Sequence, residues 1–451
     1  MPTINKQGLS AKVIKALGLF GSLEMLKMLC AVIRTKLVAI WIGTVGVGVI
    51  TLYSSTMEMI KSIAMLNLRQ SGVPAIVSAK DNPEKQAHVI GSLDLICLII
   101  GIISTLLLII FSPLLSKLTF GSYDYAWGFA LLAPTMLAST VSDARQAVLQ
   151  GLGRLRELAL ASLYAVVAAT VVALPLFYFF RMAAIVPVLI IFPVFTAFFL
   201  YLPLAKTIKR PSHNSALFRH TVRALIKLGS FLTLGIAIGL VADYALRAWL
   251  ARVGGVDAVG VFQAGYTIVK NYVGLFFTAI TMEFFPRLSA TINHRRYTSL
   301  IVAHEINLSV RLLIPVIVIF IFCNDWIVRL LYSSSFFEAI PYITIAIIAT
   351  SLRAASWCFS YVIVAKGDGS LYLVTEGISA ISLLVFSYLG WIYGGYAGLG
   401  WAFLGQYMLF TAATWIACRV KYGLRMPPSV GISILAALII GLIALYIRTL
   451  I

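Results

Sequence analysis

The chain has 451 residues, 61% of them hydrophobic and only 11% charged, and its mean hydropathy of +0.98 places it far from any soluble globular domain. Apolar stretches longer than about 18 residues recur along it and no alternating strand pattern is present, which predicts an all-α polytopic membrane protein and excludes a β-barrel. Much of the net charge of +19 lies in the segments between apolar runs, where membrane topology accounts for it, so no nucleic-acid partner is expected.

The N-terminus carries Lys6, Lys12 and Lys15 but lacks the short apolar core and small-residue cleavage site of a secretory signal, and is read as retained. Spans are predicted over residues 13–42, 45–68, 88–112, 125–148, 157–180, 182–204, 224–250, 257–283, 307–331, 339–364, 370–392, 396–417 and 430–448. Every second connection is basic: Lys80 and Lys85, Arg154 and Arg156, Lys206 to Arg223, Arg295 and Arg296, Lys366, then Arg419, Lys421 and Arg425. The alternate connections are short and nearly uncharged, with Lys117, Arg181 and Arg252 as mild exceptions. The positive-inside rule therefore predicts a cytoplasmic N-terminus and, with thirteen spans, a periplasmic C-terminus.

The polar stretch 206–223, with Pro211, Ser212 and Asn214, is read as a cytoplasmic linker between an N-terminal lobe (1–205) and a C-terminal lobe (224–420), followed by an additional span (430–448). The halves repeat. An offset of 212 carries Ala39 to Ala251, Gly43 to Gly255, Val47 to Val259, Gly48 to Gly260, Val49 to Val261 and Pro74 to Pro286. Two repeats in the same orientation suggest two lobes around a central cavity.

Charges inside the spans are the strongest functional signal, because a bare cation at mid-membrane depth costs several kcal/mol. Glu24, Lys27 and Arg34 share one stripe of the first span; Glu58 and Lys61 lie on the second, Asp243 and Arg247 on the seventh, Lys270 on the eighth and Arg353 on the tenth. One reading is internal ion pairing, preferred for Lys36, Arg252, Asp325 and Arg329 near span ends. The other is a cationic lumen in which Lys27, Arg34, Lys61, Arg247, Lys270 and Arg353 receive a phosphate or pyrophosphate. The acids Glu24, Glu58, Asp143 and Asp243 would either compensate neighbouring bases or bind a coupling H⁺ or Na⁺, with Glu58 and Asp243 given partners within one turn. Asp143 and Glu376 could equally sit near the cytoplasmic ends of their helices.

Catalysis has little support. The five histidines are read as solvated surface, the five cysteines as inert core thiols, and no metal-ligand spacing or nucleotide motif is present, so neither cofactor nor metal is expected.

Three stretches resemble the polysaccharide transport branch of the multidrug/oligosaccharidyl-lipid/polysaccharide (MOP) flippase superfamily, in particular bacterial O-antigen translocases. They are Gly21–Glu24 with Arg34–Gly43 and Gly46–Gly48, the turn Gln150–Arg154, and its echo Ala365–Gly369 with Leu371–Glu376. The resemblance implies two six-helix lobes with pseudo-two-fold symmetry and alternating access in the bacterial inner membrane. It also implies translocation of an undecaprenyl-pyrophosphate-linked oligosaccharide, with membrane lipids and polysaccharide assembly proteins as further contacts. The thirteenth span after Pro427–Pro428 departs from relatives that stop at twelve. A peptidoglycan-precursor (lipid II) flippase and a multidrug/cation antiporter stay open. So does a membrane-embedded polymerase or ligase, although every predicted outer connection is short for a catalytic loop.

Overall fold

Helices break in this chain where the sequence supplies a residue able to leave helical geometry. The computed structural model describes residues 6–65, 68–205 and 215–450, with side chains described from residue 23 onward except 24, 215–221, 224–232, 275, 278, 279, 281 and 282. The Lys6, Lys12, Lys15 and Glu24 side chains and most of the 206–223 linker thus lie outside the described residues.

Each predicted span has a helical counterpart. Helix α1 (Lys6–Met65) turns at Gly43 (φ 64°) and holds the first two spans, the second continuing as α2 (Leu68–Ser78). Then come α3 (Pro83–Phe120), α4 (Ala126–Leu132) with α5 (Pro134–Gly151), α6 (Leu155–Phe180), α7 (Ile185–Tyr201) and α8 (Ser215–Val253). The eighth span is composite: α9 (Gly255–Tyr266), a π-helical turn (Thr267–Tyr272) and α10 (Val273–Thr291). After α11 (Arg295–Leu331), α12 (Ile340–Ala346) and α13 (Thr350–Ala365) form a span bent by 60°. Helix α14 (Gly369–Tyr422) turns at Gly395 (φ 52°), giving spans eleven and twelve, and α15 (Pro428–Leu450) is the thirteenth.

The repeat read from residue identities is also present in the backbone. Gly43 (φ 64°) and Gly255 (φ 81°), 212 apart, both leave the right-handed region at the turn between the first two spans of their half, a conformation that glycine adopts without the Cβ penalty. Asn82 and His294, also 212 apart, are both extended caps, and the helices after them start at Pro83 and Arg295. Further on the offset becomes 214. At the turn after α5, Leu152, Gly153 and Arg154 donate to the carbonyls of Val148, Gln150 and Leu149; after α13, Lys366, Gly367 and Asp368 donate to Val362, Val364 and Ile363. Both are glycine-terminated helix ends with a left-handed residue, at Gly153 (φ 71°) and Gly367 (φ 69°).

Two compact units emerge: residues 1–42 with 56–233, and residues 43–55 with 234–451. Segment 43–55 joins the second unit by a close crossing on α9. A Cβ on Gly48 would collide with the Val256 carbonyl and one on Gly260 with the Thr44 carbonyl, while the Thr44 hydroxyl donates to Asp257. The repeat offset turns one of these glycine contacts into the other.

The first unit buries small and polar residues beside its apolar core and turns large apolar ones outward. On α3, Gly91, Ser92, Gly101, Ser104, Ser112 and Ser116 are buried, whereas Ile99, Ile102, Ile103, Leu106, Ile109 and Ile110 are exposed. Small residues let membrane helices approach, and the apolar outer face suits lipid. Helix α15 is docked in the second unit, Gly441 against Ile348 and Ile317, and Arg448 pairs with Asp325 at 2.8 Å.

Candidate functional site

In the second unit, the charges scattered over the seventh, eighth and tenth spans converge. Lys270 lies on the π-helical turn, an irregularity of a kind that recurs at functional sites. Its ammonium pairs with Asp243 Oδ2 on α8 at 3.0 Å, and the side chains keep 32% and 17% of their surface accessible. Tyr266, one turn before Lys270, donates its hydroxyl to the same Asp243 oxygen at 2.7 Å and accepts from the Lys270 ammonium.

Arg247 is buried in the same cluster. Its guanidinium lies 4.7 Å from the centroid of the Tyr266 ring, Nε donates to Gln263 Oε1 at 3.1 Å, and Nη1 donates to the Asp243 backbone carbonyl at 2.8 Å. Gln263 in turn donates to Thr267 Oγ1 at 3.1 Å, which fixes the orientation of its amide. Arg353 on α13 donates to the Lys270 carbonyl at 2.9 Å and lies 5.1 Å from the Phe277 centroid; among the described residues it has no carboxylate partner. Gly274 lies beside it, where a Cβ would make an ordinary contact 3.4 Å from Arg353 Nη2.

Lys270 and Arg247 thus gather around Asp243 and Arg353 reaches the Lys270 backbone, three cations against Asp243 and Glu376 of α14, which lies near Lys270. This surplus suits an anion. Glu376 lies two turns into α14, seven residues after its first residue Gly369. Helical spacing pairs Asp243 with Arg247 one turn away; its carboxylate instead engages Lys270 and Tyr266 across helices, because Arg247 is drawn to Gln263 and the backbone.

The first unit is arranged differently. Lys61 pairs with Asp143 of α5 at 2.8 Å, not with Glu58 one turn away on its own helix. The reason is burial: Asp143 keeps 14% of its surface and would be costly unpaired, whereas Glu58 is exposed. Arg34 stacks on Phe192 at 4.2 Å, and Lys27 is partly buried on α1. Arg145, two residues after Asp143, donates to the Ala197 carbonyl at 2.5 Å and covers Tyr201 at 5.0 Å. His88 corrects the reading of the histidines as solvated: it is buried, with neither ring nitrogen hydrogen-bonded among the described residues.

Sequence reasoning missed Gln263, Tyr266 and Tyr342. The first two share a helical stripe, three residues apart, and Tyr266 stands four before Lys270, a signal available beforehand. Tyr342 is buried against Phe262, its hydroxyl without a hydrogen-bond partner among the described residues, and only the fold brings it near this cluster.

A family described as polysaccharide biosynthesis protein matches residues 55–341, which include Lys61, Asp243, Arg247 and Lys270. A lipid III flippase of Escherichia coli (strain K12) is 21% identical over 394 residues, covering 83% of this chain and 90% of the relative. Among solved structures, an inward-facing multidrug resistance MATE family transporter of the MOP superfamily superposes with a TM-score of 0.74 at 16% identity, over 88% of this chain and 94% of that one. A lipid II flippase in an inward closed conformation gives 0.68 at 12% identity, over 96% and 98%. The fold is that of MOP-superfamily transporters.

Proposed function

We propose, from the premise that the chain belongs to the polysaccharide biosynthesis protein family, that it is a flippase for a lipid-linked oligosaccharide and not an enzyme. The finer assignment is an undecaprenyl-pyrophosphate-linked O-antigen or related surface-polysaccharide unit, carried from the cytoplasmic to the periplasmic leaflet of the bacterial inner membrane by alternating access. The observation that carries this reading is the cluster in which Lys270 and Arg247 engage Asp243 and Arg353 engages the Lys270 backbone, inside one unit.

The chemistry follows from competition for Lys270. A pyrophosphate oxygen entering the cluster competes with Asp243 for the Lys270 ammonium, while Arg353 supplies a planar fork. Asp243, relieved of its cation, becomes a candidate for H⁺ or Na⁺ uptake, which would couple substrate exchange to an ion gradient, with Glu376 as the next carboxylate in reach. Lys27, Arg34 and Lys61 are assigned to the same anion at other stages of the cycle. Binding has to stay modest, since a substrate held equally in every state is not released. A multidrug/cation antiporter would be served better by an acidic site.

Surface glycan is the readout. In a flippase-null strain, Lys270→Ala should abolish glycan delivery while folded protein stays in the membrane, and normal glycan from a Lys27→Ala/Lys270→Ala/Arg353→Ala variant overturns the proposal. Purified protein given O-antigen units, lipid III or lipid II in vesicles decides among the substrates. Repeating the assay with ΔpH collapsed, and again without Na⁺, identifies the coupling ion.

A further inference from the structure

Away from the Lys270 cluster, four arginines converge at the end of the second unit where α10 joins α11 and α14 joins α15. Arg295, Arg296 and Arg425 line a pocket of about 570 Å³ together with Leu300, Met426 and Pro427. A neighbouring pocket of about 480 Å³ shares Arg425 and Met426 and adds Arg419 and Trp415, with the Arg419 guanidinium 5.3 Å from the Trp415 centroid. The two pockets form one basic basin with an apolar floor.

The basin is built into the fold. Helix α14 ends at Gly423 in the left-handed conformation (φ 65°), and a Cβ there would stand 3.1 Å from Arg295 Nη1, so the glycine lets the guanidinium lie against the backbone. The Arg425 amide donates to Ser299 Oγ at 3.3 Å, tying the connection to α11. Lys421 is already engaged by Asp368 at 2.5 Å, but among the described residues no carboxylate pairs with Arg295, Arg296, Arg419 or Arg425. Two of these four also open a helix, where the dipole already favours negative charge and a cation is unfavourable.

The repeat provides an internal control. Positions equivalent to Arg295 and Arg296 in the first half are Pro83 and Glu84, so the helix start does not require arginine there. Four mutually repelling cations over an apolar floor, at the end of a membrane bundle, fit an amphipathic anion whose phosphate meets the guanidinium groups and whose chains lie along Leu300, Met426 and Trp415.

We propose that this basin binds the phosphodiester headgroup of an anionic membrane phospholipid, at a site separate from the Lys270 cluster. The alternation of basic connections places it at the cytoplasmic leaflet, where anionic lipid is concentrated.

Native mass spectrometry of the full-length protein after graded delipidation tests this, with phosphatidylglycerol or cardiolipin as probe and phosphatidylethanolamine as zwitterionic control. Wild-type protein should retain anionic lipid selectively, and Arg295→Gln/Arg425→Gln should weaken retention about tenfold or more. Arg156→Gln, at an exposed basic connection of the first half, should change nothing. Arg296→Gln, at the neighbouring position of the same pocket, repeats the test if the double variant melts early in detergent. Equal retention by wild type and Arg296→Gln, equal retention of phosphatidylethanolamine, or displacement of the lipid by equimolar inorganic pyrophosphate each overturns the proposal, the last identifying a free-phosphate site instead.

Discussion

The first unit's Lys61–Asp143 pair and the second unit's Lys270–Asp243 pair resemble one motif used twice, a lysine on the second span of each half matched to an aspartate. The surroundings differ. Lys61 lies in regular helix and its ammonium is matched by one carboxylate. Lys270 lies on a π-helical turn, shares its aspartate with Tyr266, and has Arg247 and Arg353 beside it. The repeat places Lys270 opposite Glu58, so charge and backbone geometry depart from the first half at the same position. A pair in regular helix with balanced charge fastens helices together, whereas a pair on an irregular turn with surplus cations is poised to exchange partners.

The largest effects should come from breaking these pairs. Lys270→Ala or Lys61→Ala alone leaves a largely buried carboxylate without its cation and should cost about 3–5 kcal/mol, seen as a lower melting temperature of purified protein. Neutralising both members separates the two roles. Lys61→Met/Asp143→Leu should fold and deliver less glycan than wild type, while Lys270→Met/Asp243→Leu should fold and deliver none. Equal glycan delivery by both double variants would erase the distinction.

Next in size is the crossing of segment 43–55 on α9. Gly48→Ala and Gly260→Ala each drive a methyl group into a carbonyl of the facing segment and should each cost about 1–3 kcal/mol. Similar losses in thermal unfolding would support repeat-equivalent contacts; a loss at only one position would show that the halves pack unequally there.

Two turns offer smaller tests. Arg181 adopts φ 47° between α6 and α7, and Gly395 takes φ 52° at the matching turn of the second half. Arg181→Gly should therefore stabilise by about 1 kcal/mol, read as a higher melting temperature. Smallest is the clasp at the start of α14. Hydrogen bonds from Lys421 and then Tyr422 hold the Asp368 carboxyl well below the usual carboxylate range. Its stabilising contribution is complete above pH about 4 and fades as pH falls toward the depressed value. With Lys421 half exposed the pair is worth at most about 1 kcal/mol, and Lys421→Met should flatten the acid dependence of unfolding in that window.

Helix existence and order were legible because spans depend on local composition: about twenty apolar residues must satisfy their own backbone hydrogen bonds in lipid, so each run is a helix whatever it packs against. The repeat was legible for a related reason, since Gly43 and Gly255 mark turns whose geometry needs glycine, and such punctuation survives in the sequence. Partner choice was not legible. Asp243 with Arg247, and Glu58 with Lys61, are neighbours along a helix, and sequence spacing sees only those. Burial across helices decided otherwise, selecting Asp143 for Lys61 and Lys270 for Asp243. By itself, then, the sequence determined an all-α membrane protein with a doubled architecture and cations inside its spans. Tertiary structure alone decided which cations gather, because ion-pair energies depend on interhelical distance and desolvation, and it alone placed Lys270 on a π-helical turn.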